Sequence, residues 1–369
     1  MNHAPLLCPT RPPSFPRAGF HLASAGAILF SLFLTCMDVS ASTSAATTPV
    51  GVFTVTIAAG TGTGATVSTV SFPLAIAAGF SGAMTGRITG VTASGLSNSA
   101  AGWTAGELSA AAAPCLIQIT SGPALGRTFL LSTTTANTAT TVTLNAEEAG
   151  LIDLTTLGIA TGVETGDTYR ILACDTISSV FGTPETTGVK AASAPDTADN
   201  IQILSEGTWL RYYYSSTYAS WRRVGPDTAA ANIPLRPDTL ILYTRRGTTD
   251  MSIPLLGAAS EITRRAIVRP GGITALASGW PVSGTLAGSA LQSIPGWNAA
   301  SDVAGADRVW ILVSGAWLRY YYDGASWRRV GPNTVADTLV IPAGSGVLLD
   351  KITATASAST LVQSVPYDL

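Results

Sequence analysis

The sequence predicts an all-β fold, with tandem β-sandwich or barrel-like domains built from hairpins and meanders and carrying an internal duplication. Three observations lead there. Ala, Thr, Ser, Gly and Val dominate a chain with 37 glycines, 21 prolines and only 11% charged residues, so strand formers alternate with turn formers. Short apolar runs are common, while helical periodicity of any length is scarce. The motif WLRYYY…SWRRVGP occurs at 209–226 and again at 317–332.

The amino terminus reads as a leader. Residues 1–21 carry Arg11 and Arg17 and no acid; Leu22–Cys36 is apolar or small; Val39-Ser40-Ala41 suits a signal peptidase. The apolar run falls short of the ~20 residues needed to span a bilayer. A signal peptide over 1–41, cleaved near Ala41, is the expectation, against a transmembrane anchor or a lipoprotein box at Cys36. The exported chain would be secreted, extracellular, on the cell surface or periplasmic, with no transmembrane segment of its own. His3 and His21 are the only histidines and would leave with the leader. No Ser-His-Asp triad, Cys-His pair or His-ligated zinc could then form. No catalytic residue, metal ligand or cofactor is expected. Nucleic acid is not an expected partner, because the net charge is −2 and there is no basic stripe.

Strands are expected in VFTVTI and in VSTVSFPLAI, the latter interrupted by Pro73. Residues 85–175 read as an inserted β module with the runs GRITGVTAS, CLIQIT, RTFLLST, TTVTLN and TYRILAC. Short helices are possible at 105–114 and 146–158. Cys115 opens one run and Cys174 closes another; antiparallel pairing would bring them within disulfide reach, with two buried thiols as the alternative. GTGTGATV at 60–67 reads as a hairpin loop, since no helix follows it.

The repeat comes next, at 198–226 and 306–332. The copies differ by a two-residue contraction, SSTYA at 215–219 against DGA at 323–325, where a hairpin loop should lie. Each copy is expected to form a three-stranded meander. Ile233-Pro234 and Ile341-Pro342 follow at similar offsets, and VSFPL and ASGWPVSG are candidate counterparts upstream. The expected organisation is a first β unit, 42–250, with the 85–175 insertion, and a second, 251–369.

Alternation sorts Trp317, Arg319 and Tyr321 to one face and Leu318, Tyr320 and Tyr322 to the other, with Trp209, Arg211, Tyr213 and Leu210, Tyr212, Tyr214 matching them. One reading is packing, with Arg222, Arg223, Arg328 and Arg329 stacking on aromatic rings. The other is an exposed platform for sugar rings or a protein partner. Candidate ligand-binding residues on that reading are Trp209, Arg211, Tyr212, Tyr214, Trp221, Trp317, Arg319, Tyr320, Tyr322 and Trp327. Asp199 and Asp307 match at the start of each meander; turn capping is favoured over calcium, since no D-x-D-x-D loop is present.

The order PVGVFTVTI, GWTAGEL, IQITSGPALGRTF, SVFG and ADNIQIL…YYY…WRRVG resembles the uncharacterised paralogous secreted-protein family of the Verrucomicrobia and their relatives, over the whole exported chain. The resemblance implies export and a β-rich fold, and no activity. STLVQSVPYDL carries no sorting helix with a basic tail, so it gives no expectation of anchoring by that route. The functional expectation is a noncatalytic cell-surface or extracellular protein with a structural or adhesive role, its partners glycans or other surface proteins. The alternatives are a carbohydrate-binding protein using the aromatic hairpins and a carboxylate-dependent polysaccharide-active enzyme.

Overall fold

The computed structural model describes residues 50–61, 64–74 and 84–367. The leader expected over 1–41 lies outside the described residues. Strands take up 41% and helices 9%, and the sheets are antiparallel, so the fold is all-β as predicted. Among the described residues no helix is long and apolar enough to cross a membrane.

The described residues open with β1 (Val50–Ile57) and β2 (Thr66–Val70). A module follows: β3 (Met84–Arg87), β4 (Gly90–Val91), β5 (Gly95–Ser97), β6 (Cys115–Ile119), β7 (Thr128–Leu130), β8 (Thr141–Thr143), helix α1 (Ala146–Leu151) and β9 (Thr168–Ala173). Next come β10 (Asp175–Thr176), α2 (Ile177–Phe181), α3 (Pro184–Thr187), β11 (Asn200–Ser205), β12 (Thr208–Ser215), β13 (Ser220–Arg223), β14 (Pro234–Leu235), β15 (Ile241–Arg245) and β16 (Met251–Ala258). The chain continues through β17 (Arg264–Val268), β18 (Gly272–Ala277), β19 (Gly284–Thr285), β20 (Arg308–Val313), β21 (Ala316–Tyr322), β22 (Trp327–Arg329), β23 (Val340–Ile341), β24 (Gly346–Lys351) and β25 (Ser359–Gln363).

Two sets of strands share one pairing scheme. In the first, β1 pairs β16, β10 pairs β14, and a sheet runs β13-β12-β11-β15-β2. In the second, β17 pairs β25, β19 pairs β23, and a sheet runs β22-β21-β20-β24-β18. The register agrees residue by residue: Tyr212 lies opposite Arg223 and Tyr214 opposite Trp221, as Tyr320 lies opposite Arg329 and Tyr322 opposite Trp327. The full-length ladder from Val50↔Ala258 to Ile57↔Met251 puts 251–258 with the first set, so the seam lies beyond the expected 250.

Turn chemistry explains the hairpins. β11 and β12 join through Glu206 (φ 48°) and Gly207 (φ 77°), and β20 and β21 through Ser314 (φ 48°) and Gly315 (φ 79°). Two consecutive left-handed residues make the turn whose twist matches that of paired strands. The two-residue contraction falls in the next loop, after Ser215 in the first copy and after Tyr322 in the second.

The two sets are joined reciprocally. Ser71 N–H donates to the Gly344 carbonyl (2.8 Å), and Ala277 N–H donates to the Asp238 carbonyl (3.1 Å). Ser71 immediately follows β2, and Ala277 ends its counterpart β18. The outward faces of both five-stranded sheets also share one apolar cluster, in which Leu204, Leu240 and Leu242 meet Ala275 and Leu348.

The module has its own core, including Ile117, Phe129, Leu154 and Ile171. Its sheets run β3-β9-β6-β7 and β4-β5-β8. CLIQIT and TYRILAC do pair antiparallel, end to start. Cys115, however, stands opposite Ala173, not Cys174. A one-residue offset sends the two side chains to opposite faces of the sheet. Cys115 sits in the module core, and Cys174 packs with Leu116 and Leu130 on the other side. Both thiols are free and buried, which overturns the expected disulfide. Burial pushes the Cys115 thiol up to about 11.

Candidate functional site

The hairpin aromatics fall into two environments. Tyr212, Tyr214 and Trp221 are 2%, 8% and 2% exposed and belong to the first core with Ile201, Phe181 and Tyr243. Tyr320 and Trp327 are 3% and 0% exposed in the second core, and half-buried Tyr322 packs against it. The row Tyr212, Tyr214, Tyr320, Tyr322 is therefore no exposed platform. β12 and β21 are each flanked by two strands of their sheet, and this face closes over a core. Rings meet edge-on or tilted: Tyr214 and Trp221 at 5.7 Å, Tyr322 and Trp327 at 5.6 Å, Trp297 and Trp327 at 5.4 Å. Trp221 Nε1 donates to the Gly182 carbonyl (2.8 Å), and Tyr214 OH donates to the Ala219 carbonyl (2.8 Å). Burial raises the Tyr212 and Tyr320 phenols, with Arg223 and Arg329 acting in the opposite sense.

The opposite face is wetter. Trp209, Trp310 and Trp317 are half-buried against the apolar cluster that joins the two sheets. Arg319 is exposed and lies 5.2 Å over the Trp310 ring; Arg222 lies 4.2 Å over the Tyr218 ring. Such contacts contribute ~0.5–1 kcal/mol at exposed sites. Arg211 reaches the exposed carboxylate of Asp196 at 3.0 Å. Arg328 donates to Asp323 (2.7 Å), and this bond with the Ser326 and Ala325 N–H groups pulls that carboxyl down to about 2.

Asp199 and Asp307 form one device used twice. Both are 0% exposed. Each accepts an N–H from nine residues upstream, Lys190 (2.8 Å) or Asn298 (3.0 Å), and one from just past the strand of its sheet neighbour, Arg246 (2.6 Å) or Ile352 (3.0 Å). Each pairs with the cation ending that strand, Arg245 in the first set and Lys351 (3.6 Å) in the second. Tyr243 OH also donates to Asp199 (3.0 Å), and burial followed by that carboxylate raises the Tyr243 phenol. Donors saturate the oxygens of Asp199, so the residue closes a loop onto the sheet and leaves a cation no lone pairs. Among the described residues no group of three or more His, Cys, Asp or Glu is placed to hold a metal.

One cluster escaped the sequence reading. Asn145 caps α1 by accepting from Glu147 N–H (3.0 Å), and the two glutamates that follow tie the module to both sets. Glu147 accepts from Ser205 OH (3.0 Å), Glu206 N–H (2.8 Å) and Arg269 (2.8 Å). Glu148, 1% exposed, accepts from Leu130 N–H (2.7 Å) and Arg236 (3.0 Å). Burial pushes Glu148 up to about 7, while Arg236 pulls it down. AEEAGL reads locally as an ordinary short helix start; the partners Arg236 and Arg269 are remote in sequence and carry no local signal. Beside this cluster a cleft of about 290 Å³ is edged by Asn145, Glu147, Leu210, Tyr212, Arg223 and Arg236. Its charged groups suit polar binding. Both oxygens of the buried Glu148 are already bonded, so it is not free to exchange a proton with a substrate. No protein-family model, curated protein or solved structure matches the chain.

Proposed function

We propose that this is an exported, noncatalytic protein of the cell surface or extracellular space, with a structural or adhesive role. The observation that carries the reading is the internal use of the repeated residues. Tyr212, Tyr214, Trp221, Tyr320 and Trp327 fill cores, and Asp199 and Asp307 lock loops onto sheets. The shared pairing scheme supports a duplicated unit, joined back to back through Trp209, Trp310 and Trp317. Export rests on the leader and on the resemblance to the secreted verrucomicrobial family. The test has two parts. Intact mass of protein recovered from the cell exterior should correspond to a chain starting at Ser42. The purified protein should adhere to its producing cells or their isolated envelopes and release no reducing sugar from polysaccharides. A chain found only inside the cell, or sugar release that tracks the protein, would overturn the reading.

Carbohydrate binding is a second reading, favoured by the cleft beside the first hairpin. There Glu147, Arg223 and Arg236 edge the cleft beside Leu210 and the buried Tyr212, charged groups suited to hydroxyl recognition. Trp209 and Trp317, half-exposed on the opposite face, would be a separate ring surface for sugars.

A further inference from the structure

The interiors of the two sets of strands differ at the positions of Phe72 and Phe181. Backbone bonds fix the correspondence there. Ile177 N–H donates to Ile233 O as Leu286 N–H donates to Leu339 O, and Ser178 N–H donates to Ala231 O as Ala287 N–H donates to Asp337 O. Three residues beyond Ser178 stands Phe181, 0% exposed; three beyond Ala287 stands Ala290. The reciprocal bonds of Ser71 and Ala277 fix the other side, so Phe72 corresponds to Ser278. In the first set Phe72 and Phe181 meet edge-on at 6.3 Å and fill the space between β2, α2 and the sheet. The second set has a hydroxymethyl and a methyl group in their places.

A cavity of about 370 Å³ lies here, lined by both Ser278 and Ala290. Its volume is that of about twelve waters at ~30 Å³ each, and it falls within the ~300–1,000 Å³ of ligand pockets. Its apolar walls include Leu276, Leu291, Ile341, Val347, Leu361 and Trp280, and Thr285, Ser289 and Gln363 line it as well. Trp280 is itself held edge-on by Tyr367 at 5.9 Å. Among the described residues, none that lines it is charged. The Ser278 hydroxyl oxygen is buried with no partner among the described residues, so one polar contact is left to be made. Ala290 holds a left-handed backbone (φ 60°) at the wall, a conformation that costs energy for a residue with a Cβ. The mouth carries exposed Val282, Gly284 and Thr285.

We propose that this cavity is a binding site for a small, neutral, ring-bearing molecule with one hydroxyl or carbonyl group. In the first set aromatic rings stand at the positions of Ser278 and Ala290; in the second, Trp297 packs on Trp327 as Phe181 packs on Trp221, and the one ring lining the cavity is that of Trp280. Uncharged walls reject an ionised ligand, because no counter-charge would offset its desolvation. Ser278 supplies the hydrogen bond that orients the polar end, and the aliphatic walls with Trp280 take the ring.

The probes are indole and p-cresol, with tryptamine and indole-3-acetate as charged counterparts, measured by saturation-transfer NMR and titration calorimetry on the purified protein. The neutral probes should bind at one site and the charged ones much more weakly. Ser278→Phe, which restores a ring found in the first set, should weaken binding about tenfold or more without lowering the melting temperature. Should that variant fail to fold, Gly284→Phe at the mouth serves instead, since a Cβ there meets nothing within 4 Å. Absence of binding by both neutral probes, equal binding of the charged ones, or full affinity in a folded blocking variant would overturn the proposal.

Discussion

Replacing the four hairpin tryptophans one at a time separates packing from display. Trp221 and Trp327 are 2% and 0% exposed, so Trp→Ala at either should cost about 3–5 kcal/mol. Trp209 and Trp317 are half-buried, and the same change should cost about 1–2 kcal/mol. A domain is typically stable by only ~5–15 kcal/mol, so the first pair should shift the unfolding midpoint conspicuously. Phenylalanine replacements sharpen the comparison. Trp221→Phe strands the Gly182 carbonyl that the indole N–H now satisfies, at about 1–3 kcal/mol beyond the lost volume. The Trp327 indole nitrogen is buried with no partner among the described residues, so Trp327→Phe removes an unsatisfied donor and should be the milder change. Guanidinium unfolding followed by circular dichroism, with slopes and midpoints compared at one protein concentration, reads all six variants. The reasoning fails if Trp221→Ala and Trp327→Ala stay within about 1 kcal/mol of wild type, or if Trp209 and Trp317 are the costlier pair.

Asp307→Ala should destabilise by about 3–5 kcal/mol, because it leaves the Lys351 ammonium buried without its carboxylate; a thermal melt like that of wild type would contradict this. Neither Cys115 nor Cys174 should react with a thiol reagent until the protein unfolds, and reduction should leave the intact mass unchanged; a gain of two hydrogens would restore the disulfide. Burial raises the Asp175 carboxyl to about 6 in the folded chain, from an ordinary value near 3.8. The folded state therefore holds this proton more tightly than the unfolded chain, and stability present below pH ~4 is lost as pH rises through ~6. Urea midpoints across that window should show Asp175→Asn gaining on wild type as pH rises; a constant difference would refute the assignment.

The meanders were legible in the sequence because their signals are local. Strict alternation sorted Leu318, Tyr320 and Tyr322 from Trp317, Arg319 and Tyr321, and the contraction at Asp323-Gly324 marked the loop. Exposure was not legible, since alternation tells which residues share a face and not what covers it. The sequence offsets also misled at Ile341-Pro342. The loop contraction shifts the register by two, and the backbone bonds match Ile233 to Leu339. The pairing of β1 with β16 joins residues about 200 apart, so no local pattern placed Met251–Ala258 with the first set. The cysteine pairing failed by a single residue of register. Of the candidate site, the matching aspartates were visible as a repeat, but their cations at Arg245 and Lys351 lie a sheet strand away.

The most direct test of the scaffold reading is a glycan array probed with the purified wild-type protein and with Trp209→Ala, Trp317→Ala and Arg223→Ala. The expected result is no glycan whose retention depends on any of these residues. A glycan held by wild type and lost in a variant that remains folded would contradict it, and would place a sugar site on the aromatic hairpins or in the cleft beside the first.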